Sequence, residues 1–148
     1  MNFNKTGSAL IIGGTSGMGL ETAKRLVNNN IDLIIVGNNE DKLDRAVAEL
    51  QALATTSRIS GFQTNLYNSS SVQKLLGLIN NTETQVSYLV NAAGYFSPKP
   101  FIEHSTDDYD TYLDLNKATF VISQAVAQNM ISHEQGGNIV KIGSKTGP

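Results

Sequence analysis

Ala9-Leu10-Ile11-Ile12-Gly13-Gly14-Thr15-Ser16-Gly17-Met18-Gly19 is the stretch on which the reading of this chain turns. An apolar run enters a glycine-rich turn. The turn enters a helical pattern whose apolar face is read as Met18, Ala23, Leu26 and Val27. Strand, glycine loop and helix in that order let a backbone close on a phosphate. Gly13 suits the tight turn, Gly17 leaves room for a pyrophosphate, and Gly19 lets the helix lie close to the sheet. Free N–H groups and the positive dipole end of the helix favour an anion there. Thr15 and Ser16 add hydroxyl donors. The stretch points to a dinucleotide; the alternative is a glycine-rich turn that holds nothing. The spacing is G-x-x-x-G-x-G rather than the commoner G-x-G-x-x-G, and no G-x-x-x-x-G-K-[ST] is present to suggest a P-loop nucleotidase.

Composition narrows the classes. A chain of 148 residues suits one domain with a real core. Apolar content of 40% and charged content of 16% fit a globular protein. The net charge of −2, without a basic block, argues against a nucleic-acid partner. The absence of cysteine excludes disulfides, thiolate metal sites and a cysteine nucleophile. His104 and His133 stand alone, so no metal site is expected. Met1–Lys5 lacks the apolar region of a signal peptide, and no apolar run is long enough to span a membrane. The expected location is cytoplasmic, with no membrane partner.

Strand and helix patterns alternate along the chain, which predicts an α/β fold with a parallel sheet. Strands are predicted at Ser8–Ile12, Ile31–Val36, Arg58–Thr64, Val86–Val90 and Asn138–Ile142. Helices are predicted from the glycines to about Asn29, over Glu40–Thr55, from a cap among Ser69–Ser71 to about Asn81, and from Ser105 or Thr106 to Ser132. On the last helix, Tyr109, Tyr112, Leu113, Phe120, Val121 and Met130 are read as mainly core. Right-handed crossovers give a Rossmann-like doubly wound sheet of order 3-2-1-4-5. Ligands in such sheets bind beyond the carboxyl ends of the strands. The glycine loop, Gly37-Asn38, Asn65, Asn91 and Ser144 all follow strand ends.

Taken together, these positions resemble the short-chain dehydrogenase/reductase family. The family's Thr-Gly-x-x-x-Gly-x-Gly loop stands here as Ile12-Gly-Gly-Thr-Ser-Gly-Met-Gly19. Its Asn-Asn-Ala-Gly stands as Asn91-Ala92-Ala93-Gly94. Its long helix with an early Asp and a later Asn stands as Asp107-Asp108-Tyr109-Asp110 to Leu115-Asn116, and its strand 5 ending in serine as Gly137–Ser144.

The resemblance implies hydride transfer between NADP or NAD and a small carbonyl or alcohol substrate. It implies coenzyme contacts at Gly13, Thr15, Ser16, Gly17, Met18, Gly19, Gly37, Asn38, Asn65, Leu66, Asn91, Ala92, Ala93 and Gly94. Ser144 would orient the substrate oxygen, and Asn116 would hold a water in the proton relay. Asn65 takes the place of an Asp that accepts from the adenine amino group, and an Asn carbonyl can still accept that bond. Phe120 follows Asn116 one residue sooner than in the commonest family pattern, which puts the register of Asn116 in question by about 100° of rotation. Gly37-Asn38 supplies neither the acid that favours NAD nor the Arg of many NADP users, and the reading leans to NADP. A homo-oligomer is expected through the long helix.

The family's catalytic Tyr-x-x-x-Lys lies beyond strand 5. Here the one such spacing is Tyr95-Phe-Ser-Pro-Lys99, where Pro98 and the loop setting argue against a shared helix face. Residues 1–148 are therefore expected to be the NAD(P)-binding, N-terminal portion of a longer oxidoreductase, truncated after strand 5 and inactive alone. The alternatives are a dinucleotide-binding module without catalysis and a regulatory interaction domain. A sugar-nucleotide epimerase fits less well, because its loop is usually spaced G-x-x-G-x-x-G.

Overall fold

Along β1 (Ser8–Ile12) successive side chains serve opposite faces of the sheet, as the period of a strand requires. Ala9 and Ile11 join one buried cluster, Leu10 and Ile12 the other. The computed structural model describes residues 6–143. Within them β1, β2 (Leu33–Gly37), β3 (Ile59–Gln63), β4 (Val86–Asn91) and β5 (Asn138–Lys141) form one sheet of order β3-β2-β1-β4-β5. All four pairings are parallel. α1 (Gly17–Val27) and α2 (Glu40–Leu53) supply the first cluster; α3 (Ser69–Ile79) and α4 (Thr106–Ser132) supply the second. The expected doubly wound α/β architecture and strand order are those found.

β1 pairs Ile12 with Val36 on one side and with Asn91 on the other. The chain leaves β1 towards one face and β4 towards the opposite face. The gap between these two strand ends is the switch point where such folds hold ligands.

Local chemistry sets the helix boundaries. α1 ends two residues before the expected Asn29, and the turn closes at Asn30, whose φ of 60° an asparagine tolerates. Thr55 and Thr56 donate to Asn30 Oδ1 at 2.9 and 3.0 Å. α2 is capped by Asn39, which accepts from the Lys42 N–H. The cap of α3 is Asn68 rather than one of the expected serines. Its Oδ1 accepts from the Ser71 N–H at 2.9 Å and the Ser70 hydroxyl at 2.7 Å, because an amide oxygen reaches the third residue readily.

α4 departs most from expectation. Tyr109, Leu113 and Phe120 are exposed, while Ala118, Ile122, Ala125, Val126 and Met130 face the core. Small residues on the inner side let the helix lie close to the sheet. Buried Asn129 bridges three segments: its Nδ2 donates to the carbonyls of Ile79 and Thr84 at 2.7 Å, and its Oδ1 accepts from the Val86 N–H at 3.0 Å. The outer edge of β5 meets no strand among the described residues, and all four of its residues are exposed.

Candidate functional site

The carboxyl ends of β1, β2 and β4 and the turn after β3 open on a cleft of about 440 Å³. Gly13 begins its wall with φ +75°, a conformation open to glycine. The N–H groups of Gly13 and Gly14 both donate to Val36 O, at 3.0 and 3.2 Å, which pins the turn to β2. A β-carbon at Gly19 would run into the Gly13 carbonyl oxygen. Gly19 therefore sets how closely α1 approaches the turn and does not itself line the cleft. Gly17 has φ +53°, and open space lies where a side chain would be.

Gly13, Thr15, Ser16, Gly17 and Met18 line the cleft. Met18, read from sequence as part of the apolar face of α1, is instead exposed, because the first turn projects beyond the sheet edge. Ser16 occupies the N-cap of α1 without a side-chain cap bond, and no acidic residue stands in the first turn. First-turn N–H groups have no partner within a helix. Here they remain available to an anion, with the positive dipole end behind them.

Beyond β2, Gly37 and Asn38 line the same cleft. A β-carbon at Gly37 would collide with the Thr15 methyl group, so position 38 is the first there able to carry a longer side chain. Beyond β3, Leu66 and Tyr67 reach the cleft and Asn65 does not. Asn65 Oδ1 accepts from the Tyr67 N–H at 3.0 Å, and the Asn65 N–H donates to Ser71 Oγ at 2.9 Å. Asn65 shapes the turn that presents its neighbours. Burial, and then the neighbouring Tyr95, raise the Tyr67 phenol above its ordinary value.

Beyond β4, buried Asn91 likewise stands behind the wall. Its Oδ1 accepts from the Ala93 N–H at 3.2 Å, and its carbonyl accepts from the Ile142 N–H at 2.8 Å. Ala92 donates to Ile12 O at 2.8 Å. These bonds hold Ala92, Ala93 and Gly94 against the cleft.

Among the described residues, two buried polar atoms at this edge have no partner, Thr64 Oγ1 and Asn91 Nδ2. Thr64 belongs to the cleft wall. Uncapped N–H groups, a glycine with space for a close approach and an orphaned hydroxyl fit a site for the phosphates and sugar of a dinucleotide.

α4 brings Leu115, not Asn116, to the cleft. Asn116 is exposed, because one residue along a helix turns the side chain by about 100°. Thr64, Tyr67 and Leu115 are additions to the residues read from sequence. The buried row Ala118, Ile122, Val126 continues back to Leu115 at helical spacing and carries the signal that would have found it. Ser144 lies outside the described residues.

Tyr95 and Lys99 are each engaged with other residues. Lys99 Nζ is ion-paired with Asp108, and the Tyr95 ring packs edge-on against Tyr67 and Tyr112. His133 sits at the end of α4, its ring nitrogens 2.8 Å from Asn129 O and 3.1 Å from Thr82 O.

The profile described as short chain dehydrogenase matches residues 7–148. The chain belongs to the short-chain dehydrogenase family. Among the family's curated members, the chain is 29% identical over 133 residues to a 3alpha-hydroxysteroid dehydrogenase of Mediterraneibacter gnavus, covering 89% of this chain and 52% of that one. It is 31% identical over 140 residues to a 3-oxoacyl-acyl-carrier-protein reductase of Aquifex aeolicus, covering 94% and 56%. Among solved family structures, a short-chain dehydrogenase from Sphingobium yanoikuyae in complex with NADPH superposes with a TM-score of 0.85 at 24% identity, over 93% of this chain and 54% of the other. At that identity the likeness is one of fold. The chain spans about half the length of the family members it matches. No helix among the described residues is long and apolar enough to cross a membrane.

Proposed function

We propose that residues 1–148 act as one nicotinamide-dinucleotide-binding unit of an oxidoreductase that interconverts a carbonyl and an alcohol. The observation that carries this reading is the start of α1, uncapped and glycine-rich, opening into the cleft at the switch point of the sheet. A bound nicotinamide coenzyme supplies or takes up the hydride. The N–H groups of Gly17 and Met18 would hold the pyrophosphate. Thr15 and Asn38 would face the adenosine ribose, Leu66 would flank the adenine, and Gly94 would leave space for the second ribose. Ser144 orients the substrate oxygen.

NADP is the preferred coenzyme in this reading. No carboxylate ends β2 to repel a 2′-phosphate, and the Asn38 amide can donate to one. A homo-oligomer forms through α4, where exposed Tyr109, Leu113 and Phe120 recur along one side. A cytoplasmic location goes with this reading.

Leu115 in the cleft and Lys99 held by Asp108 favour a narrower second reading, a dinucleotide-binding module without catalysis. In both readings the 148-residue chain alone gives no turnover, because among the described residues Lys99 is held by Asp108 and Tyr95 by its ring contacts, and neither is set to move a proton. Titration with NADPH, NADH and ADP-ribose, followed by coenzyme fluorescence and calorimetry, tests the shared part. Binding of all three, tightest for NADPH, is expected; no binding of any would overturn both readings. Steady reduction of ketones by the isolated chain would overturn the account of the proton step.

A further inference from the structure

Met18 is an apolar residue left in the open. It stands in the first turn of α1, is 64% exposed and lines the cleft. Its backbone is fixed, since the Thr22 hydroxyl donates to Met18 O at 2.7 Å. The side chain beyond is unbranched and ends in a polarisable thioether. The chain has no cysteine, so methionine carries all of its sulfur. Met130 packs in the core beneath α4 and is 7% exposed. Met1 lies outside the described residues. Among the described residues, the sulfur of Met18 is therefore the one within reach of a dissolved oxidant.

We infer that Met18 is an oxidation site whose state sets coenzyme affinity, the oxidant being a hydroperoxide. The inference rests on the dinucleotide reading above. The thioether sulfur gives an electron pair to a peroxide oxygen. The S–O bond forms as the O–O bond breaks, a proton passes from the transferred oxygen to the departing hydroxide, and water leaves. Sulfur is oxidised to the sulfoxide and the peroxide is reduced. What the added oxygen meets is particular to this place. A sulfoxide oxygen carries partial negative charge and accepts hydrogen bonds. The first turn of α1 offers N–H groups with no side-chain cap and no acidic neighbour. An acceptor on a flexible stem at position 18 competes with a pyrophosphate for that positive end and repels it. A bound dinucleotide in turn covers Met18 and slows its oxidation, because the opposition between the two is reciprocal.

The test treats the full chain with hydrogen peroxide, removes the peroxide, locates the added oxygen by peptide mass spectrometry and measures NADPH and ADP-ribose affinity by calorimetry. Met18 should be oxidised about tenfold faster than Met130. Both ligands should then bind about tenfold more weakly, and methionine sulfoxide reductase should restore them. The melting temperature should not move, because Met18 stands outside the core. Saturating ADP-ribose, which has the pyrophosphate and no nicotinamide for peroxide to attack, should slow Met18 oxidation about tenfold. Met130→Leu should respond to peroxide as the wild type does. Met18→Leu, whatever its starting affinity, should show no change on treatment. Affinity untouched by complete oxidation of Met18, or a peroxide effect that persists in Met18→Leu, overturns the proposal alone. So does a loss of affinity that comes with a lower melting temperature, which places the damage in the core. Failure of the untreated chain to bind either ligand overturns the dinucleotide reading and the proposal with it.

Discussion

α1 and α4 begin in opposite ways. Ser16 caps nothing, and the first turn of α1 carries two glycines and no acid. Ser105 and Asp108 close a full capping box on α4, with Asp107 beside them and Lys99 drawn in as a counter-ion. Both starts offer the same orphan N–H groups and the same dipole. In α4 the protein satisfies them itself, and the result is an anchor. In α1 it leaves them open beside a cleft, and the result is a place for an anion. The difference between structural and functional helix ends lies in what has been withheld.

Substitutions at the two ends should therefore separate binding from stability. The largest effect is expected for Gly17→Val. A β-branched residue at φ +53° is strained, by roughly 1–2 kcal/mol, and its side chain enters the open space of the cleft. NADPH affinity should fall by about a hundredfold or more, or about 3 kcal/mol. Calorimetry alongside a thermal melt measures both terms, and retained affinity would remove the phosphate from this loop.

A smaller change is expected at the end of β2. Asn38→Arg should move the ratio of NADPH to NADH affinity towards NADPH by about tenfold, and Asn38→Asp should move it the other way. Gly37 is unsuitable for the same experiment, because Thr15 occupies the space of a side chain there. A ratio that does not respond would place the 2′ group elsewhere.

The smallest effects belong to α4. Ser105→Ala should lower stability by about 1 kcal/mol in chemical denaturation and leave coenzyme affinity within about twofold. Asp108 sharpens the contrast through pH. Lys99, and then the N–H and hydroxyl of Ser105, hold its carboxyl well below the ordinary carboxylate range. A carboxyl whose folded pKa is depressed contributes fully above its unfolded value, near 4, and loses that contribution as pH falls further. Wild type and Asp108→Asn should therefore differ most near neutrality and converge in strong acid. A gap that persists unchanged in acid would show that the carboxylate charge is not what fastens α4.

The core strands and the glycine loop were legible because their signals are local. Alternation in β1 and the placing of Gly13, Gly17 and Gly19 depend on a few adjacent residues. The errors arose where one residue of register or the size of a side chain decides. Asn68 and three serines stand in a row, and sequence alone does not say which oxygen reaches Ser71. On α4 the aromatic residues look like core by type, yet small Ala118 and Ala125 and polar Asn129 lie inside. Asn116 lies away from the cleft for the same reason, since the residue one place earlier turns towards it. Asn65 and Asn91 stand out in the sequence as coenzyme contacts, whereas their side chains accept from the backbone N–H groups of Tyr67 and Ala93.

The register of β1 also bears on the order in which the molecule comes together. One edge of β1 pairs with β2 after a short crossover; the other waits for β4, far along the chain, with Ile12 opposite Asn91. Closing the longer loop costs more entropy and lowers the rate at which such contacts are found. As the chain emerges from the ribosome, β1, β2 and β3 have partners early, while the second edge of β1 stays unsealed until residues 86–91 arrive. Asn129, which fastens β4 from α4, comes later still. The middle of the finished sheet thus closes well after the β1–β2 and β2–β3 seams on one side of it, and the strand that carries the glycine loop is a hazard to the nascent chain before it is a scaffold for the folded one.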